Sequence, residues 1–147
     1  MSYMAIITYS SRGIGTATAR LAAETSYVVC LNYVLDADAA RKIAIQCESK
    51  GQRASAVQAD VTDSADVPRL FHACDERLAK SAGGSGAVIR NNSSVAAGNP
   101  DRPATVTANA PLRRLAMLEY IATDIVWLAS APADYVNGAV LPVSDGL

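Results

Sequence analysis

Apolar positions in the first 80 residues alternate between two periods. Residues 4–8 are rich in Ile and Thr and alternate weakly, as a buried strand does, whereas Ile14, Ala17, Thr18, Leu21 and Ala22 recur at helical spacing. The period changes at the glycines between them. A second β-prone run covers 27–33, and helical spacing resumes over 36–50 through Ala40, Ile43, Ala44 and Cys47 until Gly51 stops it. Residues 54–59 supply a third strand. Val67, Leu70, Phe71, Cys74 and Leu78 then share one helical face behind Asp63 or Ser64 as cap. Strand and helix repeated three times is the pattern of crossovers that build a parallel sheet, so the stretch predicts a doubly wound α/β unit.

Beyond Lys80 the pattern weakens. Residues 81–86 form a small-residue linker, and 87–93 is a strand candidate whose Arg90 and Asn92 are costly in a strand buried on both faces. Pro100, Pro103 and Pro111 with no sustained period predict an irregular segment over 96–116. Leu118, Ile121, Ile125 and Leu128 mark a last amphipathic helix that ends before Pro132, and 139–143 reads as a final strand introduced by Gly138. No repeat or second domain interrupts residues 1–147.

Half of the 147 residues are hydrophobic, enough to bury a core without cross-links. The net charge of -1, from 13 basic and 14 acidic residues spread along the chain, gives no reason to expect nucleic acid or an anionic membrane as partner. No apolar stretch approaches the roughly 18 residues of a membrane span, and the first residues lack the basic and apolar segments of a secretory signal, so a cytoplasmic location is expected. Cys30, Cys47 and Cys74 are odd in number and widely spaced beside a single histidine, His72. They read as buried free thiols, with no metal site.

Ser11-Arg12-Gly13-Ile14-Gly15 lies between the first strand and the first helix. Backbone amides there, freed by the glycines to approach closely and aided by the helix dipole, suit a diphosphate. A plain tight turn would use the same glycines.

The order of several blocks resembles the short-chain dehydrogenase/reductase family, with its glucose-dehydrogenase-like and ketoacyl-reductase-like members. The blocks are Ser11 to Gly15, Leu31-Asn32-Tyr33, Gln58-Ala59-Asp60-Val61, Ser93-Ser94-Val95-Ala96, Ile125-Val126-Trp127-Leu128-Ala129-Ser130, and Tyr135-Val136-Asn137-Gly138 with Val143-Ser144-Asp145-Gly146. The resemblance implies a shortened Rossmann-like, doubly wound parallel sheet of about five strands with helices on both faces. It also implies an oxidoreductase that moves hydride between a nicotinamide dinucleotide and a small carbonyl or alcohol. Ser11, Arg12, Gly13, Ile14 and Gly15 would hold the diphosphate, Asn32 and Tyr33 the ribose end, and Asp60 and Val61 the adenine. A neutral Asn32 with Arg12 in reach favours NADP, while Asp36 and Asp38 just past the strand leave NAD open. Ser94 matches the catalytic serine, and a turn role for Ser93 and Ser94 stands beside that reading.

The chain departs from the family pattern in three places. Tyr9 replaces a glycine of the tight turn, and the family's Tyr and Lys, about a dozen residues beyond the serine, are replaced by Thr107 and Pro111. No lysine follows Lys80, and neither Tyr120 nor Tyr135 has a lysine four residues on. The fourth and sixth strands have no counterpart. Three readings follow: an active reductase if the polypeptide is longer than these residues, an inactive dinucleotide-binding module, or an interaction protein that pairs through an incomplete sheet edge or its last helix and strand, homo-oligomers included.

Overall fold

The computed structural model describes residues 3–78, 87–90, 108, 111, 114, 116–136 and 138–143. Four parallel strands, β1 (Met4–Ile7), β2 (Val28–Tyr33), β3 (Ala54–Gln58) and β4 (Ala87–Arg90), stand in the order β3-β2-β1-β4. Met4 registers with Val28 on one side and with Ala87 on the other. Between the strands run α1 (Gly13–Glu24), α2 (Ala37–Glu48) and α3 (Asp66–Leu78), and α4 (Leu118–Ala129) follows. The strand at 87–93 expected from sequence is present directly beside β1 at 87–90, and 91–93 lie outside the described residues.

The period of two along β1 and β2 sorts their side chains into two cores. Met4, Ile6, Val28 and Cys30 face α3 with its Leu70 and Cys74, whereas Ile7, Val29 and Leu31 face Ala19, Ala22 and Ala23 of α1, Ile43 and Cys47 of α2 and Val126 of α4. Helices therefore cover both faces, as the doubly wound pattern predicts. The buried stripe of α1 is almost all alanine and threonine, which lets α1 and α4 approach closely over the sheet. Each large apolar side chain buried in this way contributes about 1.5–3 kcal/mol. Tyr27 Oη donates to the Ala129 carbonyl at 2.6 Å, anchoring the end of α4 to the start of β2.

Three expectations need correction. Residues 139–143 form no strand, and Val140 is 92% exposed. A strand requires a ladder partner for its amides and carbonyls, and among the described residues no strand stands beyond β4 to receive it. The third helix begins at Asp66 rather than after Asp63 or Ser64, because Asp63 is spent on a tight turn, accepting from Ala65 N–H at 2.9 Å. Cys30 and Cys74 are joined in a disulfide, leaving Cys47 as the buried free thiol. Their spacing in sequence concealed that β2 and α3 stack with the two Cα atoms 6.2 Å apart, inside the bridging range.

In α4 the buried residues are Ala122 and Val126, one position along from the expected stripe, and Leu118 is exposed. The irregular segment expected over 96–116 falls mainly outside the described residues.

Candidate functional site

The turn between β1 and α1 is shaped by two backbone constraints. Tyr9 adopts φ 52° and Gly13 φ 60°, both left-handed. A Cβ on Gly15 would lie 2.5 Å from the Tyr9 carbonyl oxygen and 2.9 Å from Ser10 Cα, so only glycine lets the helix start hard against the loop. Ser10, fully buried, donates from both its amide and its hydroxyl to the Asn32 carbonyl at 3.0 Å, and Thr16 Oγ1 donates to the Ser10 carbonyl at 2.9 Å. The loop is thereby strapped to the second strand on one side and to its own helix on the other.

Arg12 is the N-cap of α1, yet its side chain does not cap the helix and the first turn carries no acidic residue. The amides at that end thus present the positive end of the helix dipole with no acidic residue of their own turn to satisfy them. Ser11 and Ile14 are half-buried in the same turn, while Arg12 and Gly13 are exposed.

Asn32 lies beneath the rim, 1% exposed. Its Nδ2 donates to the Ala59 carbonyl at 2.8 Å, and its Oδ1 is buried without a partner among the described residues. Ala59 N–H returns a bond to the Tyr33 carbonyl at 3.0 Å. These bonds knit the carboxyl ends of the first three strands into one edge, so the glycine loop, Asn32, Tyr33, Asp60 and Val61 all come together there. Ser94 lies outside the described residues.

Asp60 follows directly. Its Oδ1 accepts from the Thr62 hydroxyl at 2.7 Å and the Thr62 amide at 2.9 Å, and its own N–H donates to Asp66 Oδ2 at 2.9 Å. The Thr62 hydroxyl, then its amide, hold the Asp60 carboxyl below its usual value of 3.8. The Asp60 amide, then Arg69, do the same for Asp66. Both folded values are depressed, so the stability they contribute is present above the unfolded value and is lost as pH falls through the folded ones. Urea unfolding should accordingly show a midpoint that drops below about pH 4, with a smaller drop in Asp66→Asn; equal drops in both proteins would contradict the assignment.

Ser10, Thr16, Thr62 and Asp66, the residues that brace this edge, belong to none of the sequence motifs. The available signal was hydroxyl and carboxylate residues flanking the glycines and the third strand, which favour local side-chain bonds to backbone. Two open clefts, of about 530 Å³ beside Tyr3, Tyr27 and Trp127 and about 680 Å³ beside Arg41, Arg69 and Arg77, do not include the glycine loop in their walls.

A parallel α/β sheet with a glycine-built, uncapped helix start at its carboxyl edge defines a dinucleotide-fold protein. The short chain dehydrogenase family model matches residues 3–111, and the chain belongs to that family. Among its relatives is the uncharacterized oxidoreductase YgfF of Escherichia coli (strain K12), 24% identical over 244 residues that take in 97% of this chain and 99% of the relative. With 147 residues here, that relative has long stretches without a counterpart in this chain. A 3-oxoacyl-[acyl-carrier-protein] reductase of Synechocystis sp. is 38% identical over 68 residues, 46% of this chain and only 28% of the reductase. The landomycin C-6 ketoreductase LanV, solved with NADP and rabelomycin, superposes with a TM-score of 0.81 at 19% identity over 98% of this chain and 95% of its own, a likeness of fold. Among the described residues no helix is long and apolar enough to cross a membrane.

Proposed function

We propose that the chain binds a nicotinamide dinucleotide, NADP in preference to NAD, along the carboxyl edge of its sheet, as a shortened short-chain dehydrogenase/reductase. The observation that carries this reading is the amino end of α1, held against Tyr9 and Ser10 by Gly15 and left uncapped. The residues present fit the diphosphate: Gly13 is open where a Cβ would stand, and the first turn of α1 carries no acidic side chain to oppose the charge. Ser11 to Gly15 would hold the diphosphate, Tyr33 and the buried Asn32 would floor the adenosine ribose, and Asp60 with Val61 would flank the adenine. Bound, the dinucleotide would supply the hydride for carbonyl reduction or accept it from an alcohol. Ser94 is the residue proposed to orient the carbonyl, and the cytoplasm is the proposed location.

Arg12, exposed at the N-cap, is the proposed partner of the 2′-phosphate. Calorimetric titration tests this: Arg12→Ala should weaken NADPH by roughly tenfold, the loss of about 1.4 kcal/mol expected of one charge-assisted bond, and leave NADH unchanged. Equal loss for both cofactors would contradict the role. Tyr9→Gly should relieve the left-handed strain, stabilise the fold by about 1 kcal/mol and tighten NADPH binding by clearing the ring from the loop mouth. Unchanged melting and unchanged affinity would show that Tyr9 is neutral there.

A second reading, binding without turnover, is favoured by Thr107 and Pro111 at the positions of the family's Tyr and Lys. In it the chain senses or sequesters the dinucleotide, alone or in a homo-oligomer.

A further inference from the structure

The Cys30–Cys74 disulfide joins β2 to α3 across 44 residues of sequence, and neither residue has exposed surface. It sits in the same apolar cluster as Ala59, with Val61 packed against it. From the first turn of α3, Asp66 holds the Asp60 amide at 2.9 Å. The seat of α3 on the sheet therefore fixes the 59–61 turn through both its apolar and its polar contacts.

At its far end α3 is held by exposed bonds only: Arg77 Nη1 donates to the Ala56 carbonyl at 3.1 Å and to Ser55 Oγ at 3.4 Å, and Arg53 Nη2 donates to the Arg77 carbonyl at 2.9 Å. Its buried apolar contact is small: beside Cys74, Leu70 is the only α3 side chain in the cluster that is fully buried among the described residues, with Phe71 and Ala73 half-buried, and Asp75 and Glu76 are exposed. The third cysteine stands apart. Cys47 lies in the cluster on the opposite face of the sheet, and burial pushes its thiol up to about 11, so it is a poor nucleophile for scrambling the bridge. The chain is thus built for two thiol states, with one free thiol or three.

We propose that the Cys30–Cys74 pair is a redox-controlled brace: bridged, it locks α3 and the 59–61 turn onto the sheet, and as a dithiol it releases them. The effect on dinucleotide binding rests on the function proposed above; the effect on α3 does not. The reductant is an external dithiol, whose thiolate attacks one sulfur and expels the other as a thiolate. Its second thiol then displaces the first cysteine from the mixed disulfide. The pair gains two electrons and two protons, and the reductant leaves as a cyclic disulfide. Because both sulfurs are buried, attack requires α3 to lift, so a ligand that holds the 59–61 turn also slows reduction.

The full chain serves as its own test, equilibrated with oxidised glutathione or with dithiothreitol and followed by hydrogen exchange, with thiols counted after unfolding. One thiol should titrate in the oxidised protein and three in the reduced. Amides of α3 should exchange at least about tenfold faster after reduction while those of β1 and β2 keep their rates. Cys74→Ala should exchange in α3 like the reduced protein and ignore dithiothreitol. Three thiols in the oxidised protein, equal α3 exchange in the two states, or a response to dithiothreitol in Cys74→Ala would each overturn the brace. NADPH affinity should fall on reduction. Failure to bind in either state would count against the dinucleotide function alone, since α3 exchange still decides the brace.

Discussion

Gly15→Ala lowers the melting temperature by roughly 5–10 °C and removes measurable NADPH binding. The added methyl would stand 2.5 Å from the Tyr9 carbonyl oxygen and 2.9 Å from Ser10 Cα, both backbone atoms that cannot swing aside. Ser10 is held by two bonds to Asn32, so the strain passes into the second strand instead of dissipating in the loop. Overpacking of this kind costs about 1–3 kcal/mol, and each kcal/mol moves the midpoint of a domain of this size by roughly 2–4 °C. Gly13→Ala separates sterics from conformation: nothing stands within 4 Å of its Cβ, so only the left-handed φ of 60° is penalised, about 1 kcal/mol. Circular dichroism melts of both variants check the order. Equal melting of Gly15→Ala and the parent would remove the close approach on which the proposed site is built.

Under the proposed function, carbonyl reduction by these residues should run about 10²–10⁴-fold slower than in a named reductase such as the 3-oxoacyl-[acyl-carrier-protein] reductase of Synechocystis sp.. A general acid positioned at the forming alkoxide is worth that factor, and with Ser94 proposed as the catalytic serine, Thr107 falls where the family pattern has its tyrosine. Pro111 stands in the lysine position, and no lysine follows Lys80, so neither a depressed tyrosine pKa nor a ribose clamp is available. NADPH oxidation over a panel of ketones, with the relative assayed beside it, measures the gap. Matching rates would mean that another residue donates the proton, and Tyr120 and Tyr135, both exposed, would be the first to replace.

The first three strands and helices were legible because their signals are local. The weak alternation along 4–8, the β-prone run over 27–33, the helical spacing of Ala40, Ile43 and Cys47, and the two loop glycines each act within a few residues of themselves. The structure keeps all of them. The strand beside β1 was legible too, despite Arg90. What sequence did not disclose depends on contacts between distant segments. The Cys30–Cys74 bridge follows from stacking of α3 on β2, and the burial of Asn32 follows from its bond to Ala59 across the sheet. The same holds for the final strand: Ala139, Val140 and Leu141 have strand-like composition but no strand to pair with among the described residues, and they lie exposed. At the candidate site the glycines and Asp60 were legible as motif residues. Ser10, Thr16 and Thr62 were not, because their work is to hold backbone carbonyls and a carboxylate that only the folded turn brings within reach.

In the proposed complex a dinucleotide's diphosphate rests on the amino end of α1. Amide proton–nitrogen correlation spectra recorded with increasing NADPH test it directly. Shifts should concentrate at Gly13, Ile14, Gly15 and Thr16, with smaller ones at Tyr33 and Asp60. Shifts confined to the cleft beside Tyr3, Tyr27 and Trp127, or none at saturating NADPH, would contradict it.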